Sequence, residues 1–216
     1  MAFQPVCLTW PRIHVVHGDE KTLYAYLLRP GETGRGIDLP QERQDEIRER
    51  AKEIGMSLPQ ALSLRRNKIK INSYRANGGK MNSVEDVGLG TEAGQMEFAQ
   101  DFKGKVALVL DRLEITYTRP VKGPDFILTD PIMINGHTAK WIEAKCFYGC
   151  ASLSSKKLGV GRIPDIAKRY QNEYGPGCIA FGQGFHKAFE ERMKDFANEV
   201  MLLDASDAAL EGILKR

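Results

Sequence analysis

Residues 124–145, PDFILTDPIMINGHTAKWIEAK, constrain the fold more than any other stretch of this chain. Two apolar runs, Phe126–Ile134 and Thr138–Lys145, are joined through Asn135-Gly136. Both joining residues tolerate positive φ, as a type I′ turn requires, so an antiparallel hairpin is expected. Side chains alternate along a strand, which puts Glu143 and Lys145 on one face and Ala144 on the other. Pairing about the turn lays the start of the first strand beside the end of the second. Asp125 then comes close to Glu143 and Lys145, and two carboxylates converge with one ammonium.

That combination points to metal-assisted phosphodiester cleavage. Mg²⁺ prefers hard oxygen ligands and takes one or two carboxylates, leaving other positions to water and substrate phosphate. Asp125 and Glu143 supply that number, the Ala144 carbonyl adds an oxygen, and Mn²⁺ would substitute. Such an ion polarises a phosphate and acidifies a bound water, while Lys145 orients that water or stabilises the developing negative charge. Glu97, on the helix expected before the hairpin, is the candidate for a further metal or water contact, with Glu92 and Asp101 as competitors. Singly, an Asp after Pro is a turn residue and Glu-x-Lys a solvated ion pair. Their coincidence at the meeting ends of adjoining strands is what carries the chemical reading. A zinc site from Cys146 and Cys150 with His137 or Cys178 is the weaker alternative, since structural zinc pairs are more often spaced CxxC.

The surrounding pattern gives the order helix, three strands, helix, strand. Ala99, Phe102, Val106 and Val109 mark a helical face from Thr91 to about Leu113, and Leu113–Tyr117 alternates as a short strand. Ile163, Ile166, Ala167, Tyr170 and Tyr174 repeat on a second helix stopped by Gly175-Pro176-Gly177, and Cys178–Phe185 reads as the next strand. Residues 150–162 and 77–94 are rich in glycine and polar residues and read as a loop and a linker.

Upstream, Pro40–Gly55 forms one helix, and Ser57-Leu58-Pro59-Gln60 has the capping-box form that opens another toward Arg65. This helix-turn-helix-like unit leads into Arg65, Arg66, Lys68, Lys70, Arg75 and Lys80 with no acid among them. Such a stretch would neutralise phosphates along a nucleic-acid backbone, or else form a solvated helix end. The chain thus divides into an N-terminal region, 1–80, carrying the basic unit, and a catalytic core, 91–216.

With 42% apolar and 27% charged residues, 216 residues suffice for a real core, and a net charge of +3 does not by itself announce a polyanion partner. The four cysteines lack a disulfide-dense pattern, which suits a reducing compartment. Prolines and charges interrupt the first twenty residues where a signal peptide needs an apolar run, and no membrane-spanning stretch follows. A soluble intracellular protein, nuclear or cytoplasmic if eukaryotic, is expected.

GPDFIL at 123–128, Asn135-Gly136-His137, WIEAK at 141–145, Tyr148-Gly149, Tyr170, YGPG at 174–177 and Gly184-Phe185 together resemble the TPD-motif group of PD-(D/E)XK nucleases, codanin-interacting nuclease-like. The likeness is strong from about Glu97 to Phe185. It implies an α/β, restriction-endonuclease-like core (αβββαβ, a mixed sheet flanked by helices) after an N-terminal helical region. It also implies divalent-metal dependence and a site of Asp125, Glu143 and Lys145. Gly123 stands where the family usually has Thr, and Ile166 where its animal member has Gln, so phosphate contact from that helix falls to Lys168 or Arg169. The expected activity is endonucleolytic hydrolysis of DNA or structured nucleic acid, with a protein partner also in view. The competing function is a catalytically inactive nuclease-fold module that binds nucleic acid or protein.

Overall fold

The computed structural model describes residues 6–32, 38–80, 82–83, 89–151 and 162–215. At its centre lies the hairpin of β4 (Phe126–Ile134) and β5 (His137–Lys145), antiparallel, with Ile134 opposite His137. Asn135 and Gly136 have φ of 49° and 80°, the paired positive values that the I′ turn needs. The remaining members of the sheet are β1 (Cys7–Leu8), β3 (Tyr117–Thr118), β6 (Gly177–Phe181) and β8 (Val200–Asp204). Its order is β1-β4-β5-β6-β8, with β3 also on β4; β5, β6 and β8 run parallel. It is therefore a mixed sheet, and helices cover both faces.

Strand parity sorts the core into two layers. Phe126, Leu128, Ile142, Ala144, Cys178 and Ala180 pack beneath α4 (Glu92–Arg112) and α7 (Asp207–Leu214). Trp141, Ile179 and Phe181 face the opposite way, toward α5 (Ile163–Tyr174) and α6 (Lys187–Phe196). That second layer also receives α1 (Tyr24–Leu27), α2 (Gln41–Lys52) and α3 (Leu58–Ala76), so the N-terminal region shares a core with the sheet.

The capping box opens α3 as expected. Ser57 N–H donates to Gln60 Oε1 at 2.9 Å, and Gln60 N–H returns to Ser57 Oγ at 3.4 Å. The helix then runs well past Arg65 to Ala76, because no residue breaks it before Gly78 and Gly79, both at positive φ. Two strand boundaries also differ from the pattern. Leu113–Thr116 turns out of α4, with Glu114 at φ 56°, and the short strand is Tyr117–Thr118. The run Cys178–Phe185 splits at Gly182–Gly184 into β6 and a separate β7 (Phe185–His186), which pairs with β2 (Val15–Val16). Most of the loop read at 150–162 and part of the 77–94 linker lie outside the described residues. Among the described residues no helix is long and apolar enough to cross a membrane.

Candidate active site

The last pair of the β4–β5 ladder toward the site is Phe126 opposite Ile142. Beyond it β4 turns away, and the Ala144 N–H would lose its strand partner. Asp125 fills that place: its Oδ2 accepts from Ala144 N–H at 2.9 Å. In return, Asp125 N–H donates to Glu143 Oε2 at 3.0 Å. The two carboxylates are thus fixed at one end of the hairpin by reciprocal backbone bonds. Lys145, two residues on and on the same face as Glu143, donates to Glu143 Oε1 at 2.5 Å.

Motifs distant in sequence hold this corner in place. Tyr170 of α5 donates its hydroxyl to the Gly123 carbonyl at 2.6 Å, anchoring the turn that leads to Asp125. Trp141, fully buried, stands edge-on to Tyr170 with ring centroids 5.5 Å apart and donates to the Gly175 carbonyl at 2.9 Å. Gly177 lies so close that a Cβ there would sit 2.1 Å from the Trp141 ring. The YGPG and WIEAK segments are therefore two sides of a single contact. Gly123 has its own reason to lack a side chain: φ is +121°, and a Cβ would come 2.8 Å from the Tyr174 hydroxyl.

Glu143 is only 5% exposed. Burial pushes its carboxyl pKa above the ordinary 4.5, and the Asp125 charge adds to the rise, against the opposing pull of Lys145 and the Asp125 N–H. Two carboxylates in a partly dry corner call for positive charge. Part of it comes from a residue that the sequence reading did not single out: Lys103 of α4, whose Nζ lies 2.5 Å from Asp125 Oδ1. Along α4 the acids are the residue types that signal a metal ligand, and a lysine among them carries no such signal. Gln100, Lys103, Arg119, Gly123, Asp125 and Glu143 are among the residues lining a cavity of about 410 Å³ here.

The donor set suits a hard divalent ion. Asp125 and Glu143 give two carboxylates, and the Ala144 carbonyl lies on the strand edge from which its N–H reaches Asp125. Among the described residues no group of three His, Cys, Asp or Glu gathers to hold a metal, so the other positions would fall to water and phosphate. Glu97 is exposed and lies six residues, about 9 Å along the helix, from Lys103; it does not line the cavity. Glu92 and Asp101 are exposed as well. The zinc alternative is not assembled: Cys150 and Cys178 are buried in opposite layers, and His137 sits by the hairpin turn, 3.2 Å from the Gly177 carbonyl. None of the four cysteines forms a disulfide.

The basic stretch does not form one cationic face. Arg65 is fully buried, with Nη2 3.9 Å from Glu32, so it is a core residue rather than a phosphate contact. The buried Arg43 shares that carboxylate, at 2.7 Å from its Nε. Lys68 bonds the Tyr24 carbonyl and lies over the Tyr24 ring at 4.8 Å, and Lys70 reaches Gln95 at 3.3 Å. Arg66 lines a second cavity of about 450 Å³ with Phe98 and Cys146. Arg75, Lys80, Lys168 and Arg169 are exposed, Arg169 stacking on Tyr170 at 5.0 Å.

Three curated relatives, each named CDAN1-interacting nuclease 1, align over 64 residues. The Gallus gallus protein is 38% identical over 30% of this chain and 22% of its own length. The Homo sapiens protein is 36% identical over 30% and 21%, and the Xenopus tropicalis protein 34% over 30% and 20%. The alignment therefore spans about a fifth of those relatives. No solved structure matches. The profile of a family described as "protein of unknown function TPD sequence-motif" matches residues 91–206, more than half of the 216, and to that family the chain belongs.

Proposed function

We propose that this protein is a divalent-metal-dependent nuclease, a restriction-endonuclease-like enzyme that hydrolyses phosphodiester bonds of DNA or structured nucleic acid. The observation that carries the reading is the reciprocal bonding of Asp125 and Glu143, with Lys145 on the same corner. Turn and strand stability alone do not require two acids to meet where a ladder ends. The element order α4, β3, β4, β5, α5, β6 supports it, as do the relatives named as nucleases. Their name also states an interaction with CDAN1, and a protein partner is part of the proposal for this chain.

In this mechanism Asp125, Glu143 and the Ala144 carbonyl would hold Mg²⁺, or Mn²⁺ in its place. The ion, when bound, supplies polarisation of the scissile phosphate and a more acidic water. Holding the ion would need Glu143 ionised, because a protonated carboxyl is a poor ligand, and its burial works against that charge. Lys145 then keeps one ammonium beside the reacting centre, where it stabilises charge that grows in the transition state. Tyr170 fixes the Gly123 carbonyl and so the approach of Asp125. The exposed Arg75, Lys80, Lys168 and Arg169, with the partly buried Arg66, supply the cations available for backbone phosphates.

The test is cleavage of duplex, single-stranded, flapped and branched DNA, and of RNA, with Mg²⁺, with Mn²⁺ and with chelator. Asp125→Ala is expected to abolish cleavage and Lys145→Ala to slow it by about 10²–10³-fold. Binding that persists in both variants, with no metal-dependent cleavage of any substrate by the wild type, would leave a nucleic-acid-binding module instead.

A further inference from the structure

We infer that Lys103 is a phosphate ligand of this site, docked on Asp125 until a divalent ion takes that carboxylate. The inference rests on the nuclease reading above. Asp125 Oδ2 is already committed to the Ala144 N–H, at 2.9 Å. Oδ1 is the oxygen left for a cation, and Lys103 Nζ stands 2.5 Å from it. An ammonium and a hard divalent ion compete for the same lone pairs, so a metal ion approaching Oδ1 displaces the ammonium.

The displaced group has somewhere to go. Lys103 keeps 29% of its side chain exposed, and its long stem lets the head move several ångströms without moving α4. It lines the cavity of about 410 Å³, space for a phosphodiester and its first waters at roughly 30 Å³ per water. Lys103, Gln100, Arg119, Asp125 and Glu143 line it together, so cations and carboxylates share one opening. Arg119 is oriented by the Phe126 ring, 5.0 Å from its guanidinium carbon. A phosphodiester entering the cavity would meet the Lys103 and Arg119 cations and the metal-loaded carboxylates in the same space. Lys145 does not fill this role, because Glu143 holds it on the α5 side of the sheet.

The experiment titrates Mn²⁺ into the full chain, reading free Mn²⁺ by electron paramagnetic resonance, for wild type, Lys103→Met, Lys103→Arg and Asp125→Asn. Lys103→Met is expected to bind Mn²⁺ at least about threefold more tightly, since a competing cation is gone. Lys103→Arg stays near wild type, and Asp125→Asn binds weakly. In Ca²⁺, the Lys103→Met protein should bind DNA more weakly, and the slope of log K against log[salt] should shrink by about 0.9, one phosphate contact. Should Lys103→Met not fold, Lys103→Gln makes the same comparison. Mn²⁺ affinity unchanged or weakened in the variant, beside a wild type that binds Mn²⁺ through Asp125, overturns the role of Lys103 alone. A wild type that binds no Mn²⁺, or Asp125→Asn binding as wild type does, overturns the nuclease reading beneath it.

Discussion

Glu143→Gln should make the metal-free protein more stable at neutral pH, although it removes an ion pair. Glu143 is buried, and desolvation outweighs the help from Lys145, so the folded state holds a proton on it more tightly than the unfolded chain does. Between the ordinary 4.5 and the raised folded value, the unfolded state therefore binds fewer protons, and stability falls as pH rises. Below that window the penalty is absent; above it the penalty is complete. Glutamine has no such titration. It keeps one oxygen to accept from the Asp125 N–H, which the structure sets at 3.0 Å. What it loses is the bond to Lys145, whose side chain is 21% exposed and can turn to water.

Single stabilising substitutions commonly add about 0.5–2 kcal/mol. In a chain of this length about 1 kcal/mol raises Tm by roughly 2–4 °C. The assay is thermal unfolding in chelator from pH 4.5 to 8.5, wild type against Glu143→Gln. The variant should gain most at the alkaline end, the gain shrinking toward pH 4.5. Saturating Mg²⁺ should reverse the order, since binding at a hundredfold excess over Kd adds about 2.7 kcal/mol to the wild type alone. A variant less stable than wild type at pH 8, or a difference independent of pH, refutes the argument that burial dominates at Glu143.

Other changes test the scaffold. Glu32→Gln should cost about 3–5 kcal/mol, because it takes from the buried Arg43 and Arg65 the anion they share, while Arg43 keeps Glu46 at 2.8 Å; urea unfolding measures it, and a loss below about 1 kcal/mol would mean that the remaining partners suffice. Its pH signature should be opposite to that of Glu143. Burial of Glu32 is outweighed by its bonds to Arg43 and the Arg29 N–H, its pKa is depressed, and the stability it contributes is lost as pH falls through that lowered value. Gly123→Thr, which restores the residue usual in the family, should destabilise by roughly 2–3 kcal/mol through strain at φ +121°. Gly123→Thr with Tyr174→Ala should recover only the part due to the 2.8 Å clash, and full recovery would locate the whole cost in Tyr174 rather than in the backbone.

How much of this was legible in the sequence depends on the range of the interaction concerned. The I′ turn, the capping box of Ser57 and the strand parity of Glu143 and Lys145 are set within a few residues, and the structure keeps them all. The nearness of Asp125 to Glu143 is one step longer, yet a hairpin with a known turn has only one register, which makes that contact readable too. Arg65 and Lys103 are different. A run of cations reads as a phosphate-binding face only while their partners are unknown, and the partner of Arg65 is Glu32, on a segment before α2. Likewise Lys103 meets Asp125 because α4 crosses the end of the hairpin where β4 peels away, a geometry that periodicity along α4 does not encode. The residue missed is thus a cation set against the acids, not a further acid on the same helix. In a site with two carboxylates and no third among the described residues, charge balance asks for such a cation, and α4, the helix of Glu97, supplies it.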